Sequence, residues 1–230
     1  GIPPMIRELP GANYAITTNG AVIADLKTNK AIRTCGLSNE MVQCILNIAK
    51  KYHSATDPFI DGRAITQPSS IDHMDEFGLS PQMQKLIRDT REVVPDVMEY
   101  VKTTGAQAEK INIFMADLEE REILRKELMA MSELSISSSM YNNLEVNAKG
   151  ADKGSALLWL ADHLGISREE TMAFGDGEND IPMIKAAGIG VAMENALDTV
   201  KEAADIITLN NDEDGVAAAI RKFIFGSSEE

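Results

Sequence analysis

The 230-residue sequence has little of what marks disulfide-rich, membrane-spanning or secreted proteins. Its only cysteines, Cys35 and Cys44, are too few for a disulfide framework and lack metal-ligand spacing, which favours a reducing cytoplasm. No apolar run approaches the ~20 residues that a membrane span needs. Arg7 and Glu8 interrupt the opening stretch, so we predict no signal peptide.

Positive charge is also scarce. The chain has 22 Lys and Arg against 36 Asp and Glu, a formal net charge of −14. A nucleic-acid partner requires clustered Lys and Arg, so we expect none, and the simplest consequence of the negative charge is solubility. A chain of this length can bury a core and hold one large or two modest domains.

The C-terminal third alternates between helix and strand patterns. A helical stripe over 152–164 is closed by Gly165, and the apolar run 171–174 ends in Gly-Asp-Gly. Further helices are predicted at 181–187, 197–204 and 215–225, with short strands at 189–193 and 206–209. Because strands alternate with helices, we predict an α/β fold with a doubly wound parallel sheet.

Residues 24–147 form a separate α/β module in our interpretation. A helix is predicted to begin at Ser38 and run to Lys51, and the stretch 55–80, rich in Asp, Pro, Ser and Gly, is predicted to hold turns and short elements. Strand, helix and strand are predicted at 111–115, 118–131 and 134–138, with another strand at 141–146. We therefore predict a discontinuous domain, residues 1–23 and 148–230, into which residues 24–147 are inserted.

The strongest chemical signal is Gly175-Asp176-Gly177-Glu178-Asn179-Asp180, directly after a predicted strand. In open α/β sheets, ligands bind at the carboxyl ends of the strands. Asp176 and Asp180 can point together at one hard cation, and a water-rich site with few carboxylates suits Mg²⁺. From these six residues alone, a polar turn with Asp180 at a helix N-terminus is an equally good interpretation.

Two other motifs carry less information by themselves. Lys153 stands near a predicted helix start, where backbone donors can help it hold an anion, although a first-turn lysine is more often a solvated surface charge. The strand-like stretch Ala15-Ile16-Thr17 runs into Thr18-Asn19-Gly20-Ala21, which alone favours a structural turn over a phosphate loop.

Taken in order, these motifs resemble the Cof-type phosphatases of the haloacid dehalogenase superfamily, subfamily IIB. Leu144-Glu145-Val146 leading to Lys153-Gly154 resembles the family's third motif. The stretches 188–196, 204–205 and 211–215 follow as they do in that family. The resemblance covers essentially the whole chain and implies a doubly wound α/β core with an inserted α/β cap domain.

The resemblance also implies roles for individual residues. Asp176 would be a direct Mg²⁺ ligand, and Asp180 would support the metal site directly or through water. Lys153 would neutralise the phosphoryl group during transfer, and Asn179 would hydrogen-bond the phosphate or the substrate.

A weaker assignment concerns the first strand of the chain. By the same resemblance, Asn19 and Gly20, together with Thr18, would face the same cleft and help to bind phosphate. The cap domain would close over that cleft and exclude water.

The sequence departs from the family pattern at its start. The family's first motif, Asp-x-Asp-Gly-Thr, supplies the nucleophile and is not present; the second, a Ser or Thr at the end of the next strand, is also absent. Ile2–Leu9 resembles the helix that follows that second motif. We therefore expect that about 40–45 residues, a strand–helix–strand unit, are missing. The sheet would then have a gap between the strands at 14–18 and 171–174. We also expect the chain alone to be inactive.

The predicted function is Mg²⁺-dependent hydrolysis of small phosphorylated metabolites, sugar phosphates first, through an aspartyl-phosphate. A phosphomutase relative and a non-catalytic phosphate- or metal-binding protein are the alternatives. The intact Asp176, Asp180 and Lys153 argue against the non-catalytic alternative. We expect no membrane partner and a cytoplasmic location.

Overall fold

A computed structural model describes residue 2 and residues 7–226. The chain divides into two compact units, the first ending at Ala151 and the second beginning at Asp152. Half of the stretch Ile2–Leu9, which resembles a helix of the family, lies outside the described residues, as do the last four residues of the polar tail. No helix in the described part is long and apolar enough to cross a membrane.

The first unit opens with a small antiparallel sheet. It contains β1 (Tyr14–Thr17), β2 (Val22–Asp25) and β3 (Lys30–Thr34), in that order. The predicted strand at 14–18 is confirmed, and its neighbour among the described residues is the antiparallel β2. The predicted domain boundary after residue 23 falls inside β2. That residues 1–23 and 148–230 form one domain stays a prediction.

A six-stranded sheet forms the centre of the first unit. Its strands, in chain order, are β4 (Ser54–Ile60), β5 (Arg63–Thr66), β6 (Glu92–Val93), β7 (Lys110–Met115), β8 (Leu134–Ser137) and β9 (Asn143–Ala148). Their spatial order is β6-β5-β4-β7-β9-β8, antiparallel except for the β5–β6 pair. The expectation of turns and short elements across 55–80 was wrong for β4, which spans seven residues near the middle of this sheet.

Helices cover this sheet. They are α1 (Asn39–Ala49), α2 (Pro68–Asp72), α3 (Pro81–Thr90), α4 (Val97–Thr104) and α5 (Leu118–Met129). Side chains of β7 alternate between its faces, so that Ile111 and Ile113 join the main core while Phe114 packs with Met74 and Ile87 in a second cluster. The same face also carries polar side chains, among them Asn112 and Glu145.

The second unit is a three-stranded parallel sheet with helices. The strands β10 (Met172–Gly175), β11 (Ile189–Ala192) and β12 (Ile206–Ile207) follow one another in space. The helices are α6 (Lys153–His163), α7 (Ile181–Ala186), α8 (Asp198–Ala203) and α9 (Gly215–Phe223). The predicted alternation of strands and helices is confirmed throughout this unit.

Candidate active site

The acidic loop begins at the carboxyl end of β10. The strand ends at the buried Gly175, and a 3₁₀ turn, Glu178–Asp180, leads into α7 with Pro182 in its first turn. A Cβ atom at Gly175 would lie 2.3 Å from Cβ of Asp180, so a side chain there would push the turn away. The glycine therefore allows the loop to fold back onto the end of the strand.

Asp180 is the buried anchor of this loop. Asp180 is only 6% exposed. Its Oδ2 accepts hydrogen bonds from the backbone N–H groups of Asp176 at 3.0 Å and Gly177 at 3.1 Å. Oδ1 accepts a hydrogen bond from the ammonium of Lys153 at 2.5 Å. Three donors thus compensate for the burial of this carboxylate.

Helix α6 begins at Lys153, and this position brings the ammonium of Lys153 to Asp180. The preceding Asp152 caps the helix by accepting the N–H of Ser155 at 2.8 Å. A Cβ at Gly154 would lie 2.3 Å from the carbonyl oxygen of Pro182, so α6 and α7 touch through their backbones. The ammonium of Lys153 is partly exposed and has three donors, one of which serves Asp180. The others can meet a second anion.

Asp176 is exposed and held in place from another loop. The side-chain amide of Asn195 donates to Oδ2 of Asp176 at 3.1 Å, and its oxygen accepts the N–H of Asn211 at 3.0 Å. We did not predict a site role for Asn195. Its only sequence signal was its place in the family-like stretch after β11.

These carboxylates suit part of a Mg²⁺ site. Among the described residues, no three His, Cys, Asp or Glu side chains are arranged to enclose a metal ion. Mg²⁺ is commonly held by one or two carboxylates and keeps several waters or phosphate oxygens. The exposed carboxylate of Asp176, whose backbone N–H is bonded to Asp180, provides hard oxygen ligands of this kind. The donor set therefore fits an open site.

Asn179 lies in the same 3₁₀ turn and is half-buried. It directly precedes the anchoring Asp180 in the chain. Its predicted role in binding phosphate or substrate stays a prediction.

Asn19 and Gly20 lie in the first unit, in the turn that joins β1 to β2. The predicted Asn-Gly turn is confirmed. The amide nitrogen of Asn19 donates to Oε2 of Glu145 at 2.9 Å and to Oδ1 of Asn147 at 3.2 Å. The turn is thus bonded to β9, and its predicted role in phosphate binding stays a prediction.

A groove of the second unit lies apart from these residues. It has a volume of about 780 Å³ and is lined by residues of β12 and α9, among them Ile206, Ala218 and Phe223. None of the predicted site residues lines it.

Comparison with known proteins identifies the family. A model of haloacid dehalogenase-like hydrolases matches residues 1–220. The chain belongs to this family. It is 50% identical over 114 residues to the 5-amino-6-(5-phospho-D-ribitylamino)uracil phosphatase YcsE of Bacillus subtilis (strain 168). That match covers 48% of the chain and 46% of the relative, so the chain matches about half the length of this family member.

Solved structures agree with this assignment. A haloacid dehalogenase-like hydrolase from B. subtilis has a TM-score of 0.81 and 28% identity, covering 91% of the chain and 79% of the other protein. The subclass IIB sugar phosphatase BT4131 has a TM-score of 0.74 and 26% identity, covering 92% and 75%. The Cof-type resemblance and the α/β fold are therefore confirmed, while the inserted cap domain stays a prediction.

Proposed function

We propose that the whole protein is a Mg²⁺-dependent phosphomonoester hydrolase for small phosphorylated metabolites, with sugar phosphates as the first candidates. The observation that carries the proposal is the Lys153–Asp180 salt bridge beside the exposed Asp176, at the carboxyl end of a parallel strand. Phosphatase activity in the names of the relatives supports it.

Each residue of this group would have a distinct task. Asp176 would hold Mg²⁺, and Asp180 would support it while fixing Lys153 and the loop backbone. Mg²⁺, when bound, supplies charge stabilisation for the transferred phosphoryl group. Lys153 would bind a phosphoryl oxygen with its remaining donors, and Asn179 would hydrogen-bond the phosphate or substrate.

The covalent step requires a nucleophile, and none of the residues assigned above has that role. We propose that this nucleophile is the aspartate of the family's first motif. The residues assigned above would then bind Mg²⁺ and phosphate and stabilise charge. Inactivity of the chain alone stays a prediction. The protein has two cysteines without a disulfide and a net negative charge, and we also propose that it is cytoplasmic. We propose a small phosphorylated metabolite as its partner.

Phosphate release tests the proposal. The complete gene product is incubated with p-nitrophenyl phosphate and a panel of sugar phosphates, with Mg²⁺ and with EDTA. We expect release that requires Mg²⁺ and is lost in Asp176→Asn. Activity that survives EDTA or Asp176→Asn would contradict the metal assignment, and no release with any substrate would contradict the hydrolase assignment.

The products separate hydrolysis from phosphoryl transfer. Phosphorus NMR of the reaction distinguishes free phosphate from an isomeric sugar phosphate. Free phosphate is the expected product, whereas an isomer without free phosphate would identify a phosphomutase. Binding of phosphate without turnover by the complete gene product would identify a non-catalytic binding protein.

A further inference from the structure

The three parallel strands of the second unit lead into three neighbouring loops. Asp176 follows β10, Asn195 follows β11, and Asn211 follows β12. Because β11 lies between β10 and β12, the loop of Asn195 has one neighbour on each side. Open α/β sheets bind ligands at the carboxyl ends of their strands. Asn195 therefore lies in the middle of the edge where a ligand is expected.

The side chain of Asn195 bonds to both neighbouring loops. Its Nδ2 donates to Oδ2 of Asp176 at 3.1 Å, and its Oδ1 accepts from the backbone N–H of Asn211 at 3.0 Å. The bond from Asn211 fixes the orientation of the amide, because a backbone N–H can be met only by the amide oxygen. The amide nitrogen is thereby turned toward the carboxylate of Asp176.

Asp176 is held at three points. Its backbone N–H donates to Oδ2 of Asp180 at 3.0 Å, and its carbonyl oxygen accepts from the N–H of Leu197 at 3.2 Å. Its Oδ2 accepts from Asn195. Among the residues that the structure describes, no donor is bonded to Oδ1 of Asp176, and this residue is exposed. The carboxylate therefore presents one oxygen, while its backbone and its other oxygen are fixed.

The loop of Asn195 is fixed independently of this side chain. The N–H of Met193 donates to the carbonyl oxygen of Gly175 at 3.0 Å, and the N–H of Ala196 donates to the carbonyl oxygen of Met193 at 3.0 Å. Met193 and Ala196 are buried, whereas Asn195 is exposed. An exposed side chain adds little to the core, so the contribution of Asn195 is the orientation that it gives to Asp176.

A carboxylate held in this way suits Mg²⁺ better than Ca²⁺. Mg²⁺ demands near-ideal octahedral geometry and is commonly held by one or two carboxylates together with waters. Ca²⁺ accepts about six to eight oxygen ligands and takes carboxylates through one oxygen or through both. While Oδ2 of Asp176 accepts from Asn195, only Oδ1 is available to a cation.

We propose that Asn195 is a positioning residue that occupies Oδ2 of Asp176 and so makes this carboxylate a one-oxygen ligand that favours Mg²⁺ over Ca²⁺. The loop before α9 takes part through the N–H of Asn211, which orients the amide. This inference rests on the proposed metal role of Asp176. It adds a determinant of metal selectivity that is not itself a carboxylate.

Isothermal titration calorimetry of the complete gene product with Mg²⁺ and, separately, with Ca²⁺ tests it. Asn195→Ala should weaken Mg²⁺ binding by about tenfold, because the carboxylate loses its fixed orientation. Ca²⁺ binding should weaken by less than about threefold, because the released Oδ2 can serve as a second Ca²⁺ ligand. The ratio of the two Kd values should therefore shift in favour of Ca²⁺.

Asn210→Ala is the matched control. Asn210 directly precedes Asn211, but its side chain bonds within its own loop, accepting from the N–H of Asp212 at 2.8 Å and donating to Glu213 at 2.7 Å. Its loss removes a helix cap and can lower stability. We expect both Kd values to stay within about twofold of the wild type, because the bonds between Asn195 and its two neighbours remain.

NMR of the wild type gives a second readout that needs no variant. The side-chain amide protons of Asn195 should shift on titration with Mg²⁺ and report the Kd found by calorimetry, because a cation at Oδ1 changes the charge of the carboxylate that accepts them. This readout also decides the question if Asn195→Ala does not fold.

Three outcomes would overturn the inference. The first is an equal loss of Mg²⁺ and Ca²⁺ affinity in Asn195→Ala, and the second is the same change in Asn210→Ala, since either would mark a merely structural role. The third is an Asn195 amide signal that does not move at saturating Mg²⁺. Wild-type Mg²⁺ binding together with any of these leaves the proposed function intact, whereas a wild type that binds no Mg²⁺ contradicts the metal assignment itself.

Discussion

The ammonium of Lys153 lies 2.5 Å from Oδ1 of Asp180, across 27 residues of sequence. This contact joins the first residue of α6 to the turn that precedes α7. The second oxygen of Asp180 holds the backbone of Asp176 and Gly177. One buried carboxylate therefore sets both the position of the candidate phosphate ligand and the shape of the candidate metal loop.

Two substitutions at Asp180 should separate these effects. Asp180→Ala removes every acceptor and leaves two backbone N–H groups unpaired, so we expect a loss of about 2–5 kcal/mol in the free energy of unfolding. Asp180→Asn keeps an acceptor oxygen for those N–H groups and should lose about half as much or less. Urea denaturation measures both, and equal losses would contradict the anchoring of the loop by Asp180.

Gly175 should tolerate no side chain. Gly175→Ala places Cβ 2.3 Å from Cβ of Asp180, and we expect it to cost about 1–3 kcal/mol of stability and to reduce Mg²⁺-dependent turnover of the complete protein. Gly177→Ala, in the same loop, brings Cβ only to 3.2 Å from Oδ1 of Asn179 and is the control. Indistinguishable losses in the two variants would show that the close approach at Gly175 does not matter.

Lys153→Ala should impair turnover in the complete protein. Removing one preorganised group that stabilises transition-state charge costs about 2–4 kcal/mol, which corresponds to a fall in kcat of about 30- to 1,000-fold. Lys149→Ala removes an exposed lysine four residues earlier and should leave kcat within about twofold. A fall below tenfold for Lys153→Ala would count against the proposed phosphate contact.

The sequence predicted the second unit better than the first. Short apolar runs and helical stripes there report local structure, and Lys153, Asp176 and Asp180 lie within recognisable motifs. β4 was missed because Asp57 and Pro58 interrupt its apolar pattern; Asp57 is instead paired with Arg91 at 3.0 Å, a partner 34 residues away. The contact between Asn195 and Asp176 joins two loops and likewise has no local signal.

Glu109 should make stability depend on pH. Its Oε1 accepts the N–H of Gly62 at 2.7 Å, but burial raises the pKa of this carboxyl above its ordinary value of 4.5. The folded chain therefore keeps the proton to a higher pH than the unfolded chain. The contribution of Glu109 to the free energy of unfolding should therefore fall as the pH rises from about 4.5 through the raised pKa, and it should then level off.

Glu109→Gln should remove this dependence, because the amide keeps an acceptor oxygen for Gly62 and does not titrate. The stability of Glu109→Gln relative to the wild type should therefore increase with pH and reach its maximum near neutrality. Urea denaturation at several pH values measures this difference. Parallel pH profiles for the wild type and Glu109→Gln would show that burial of Glu109 does not favour its protonated form.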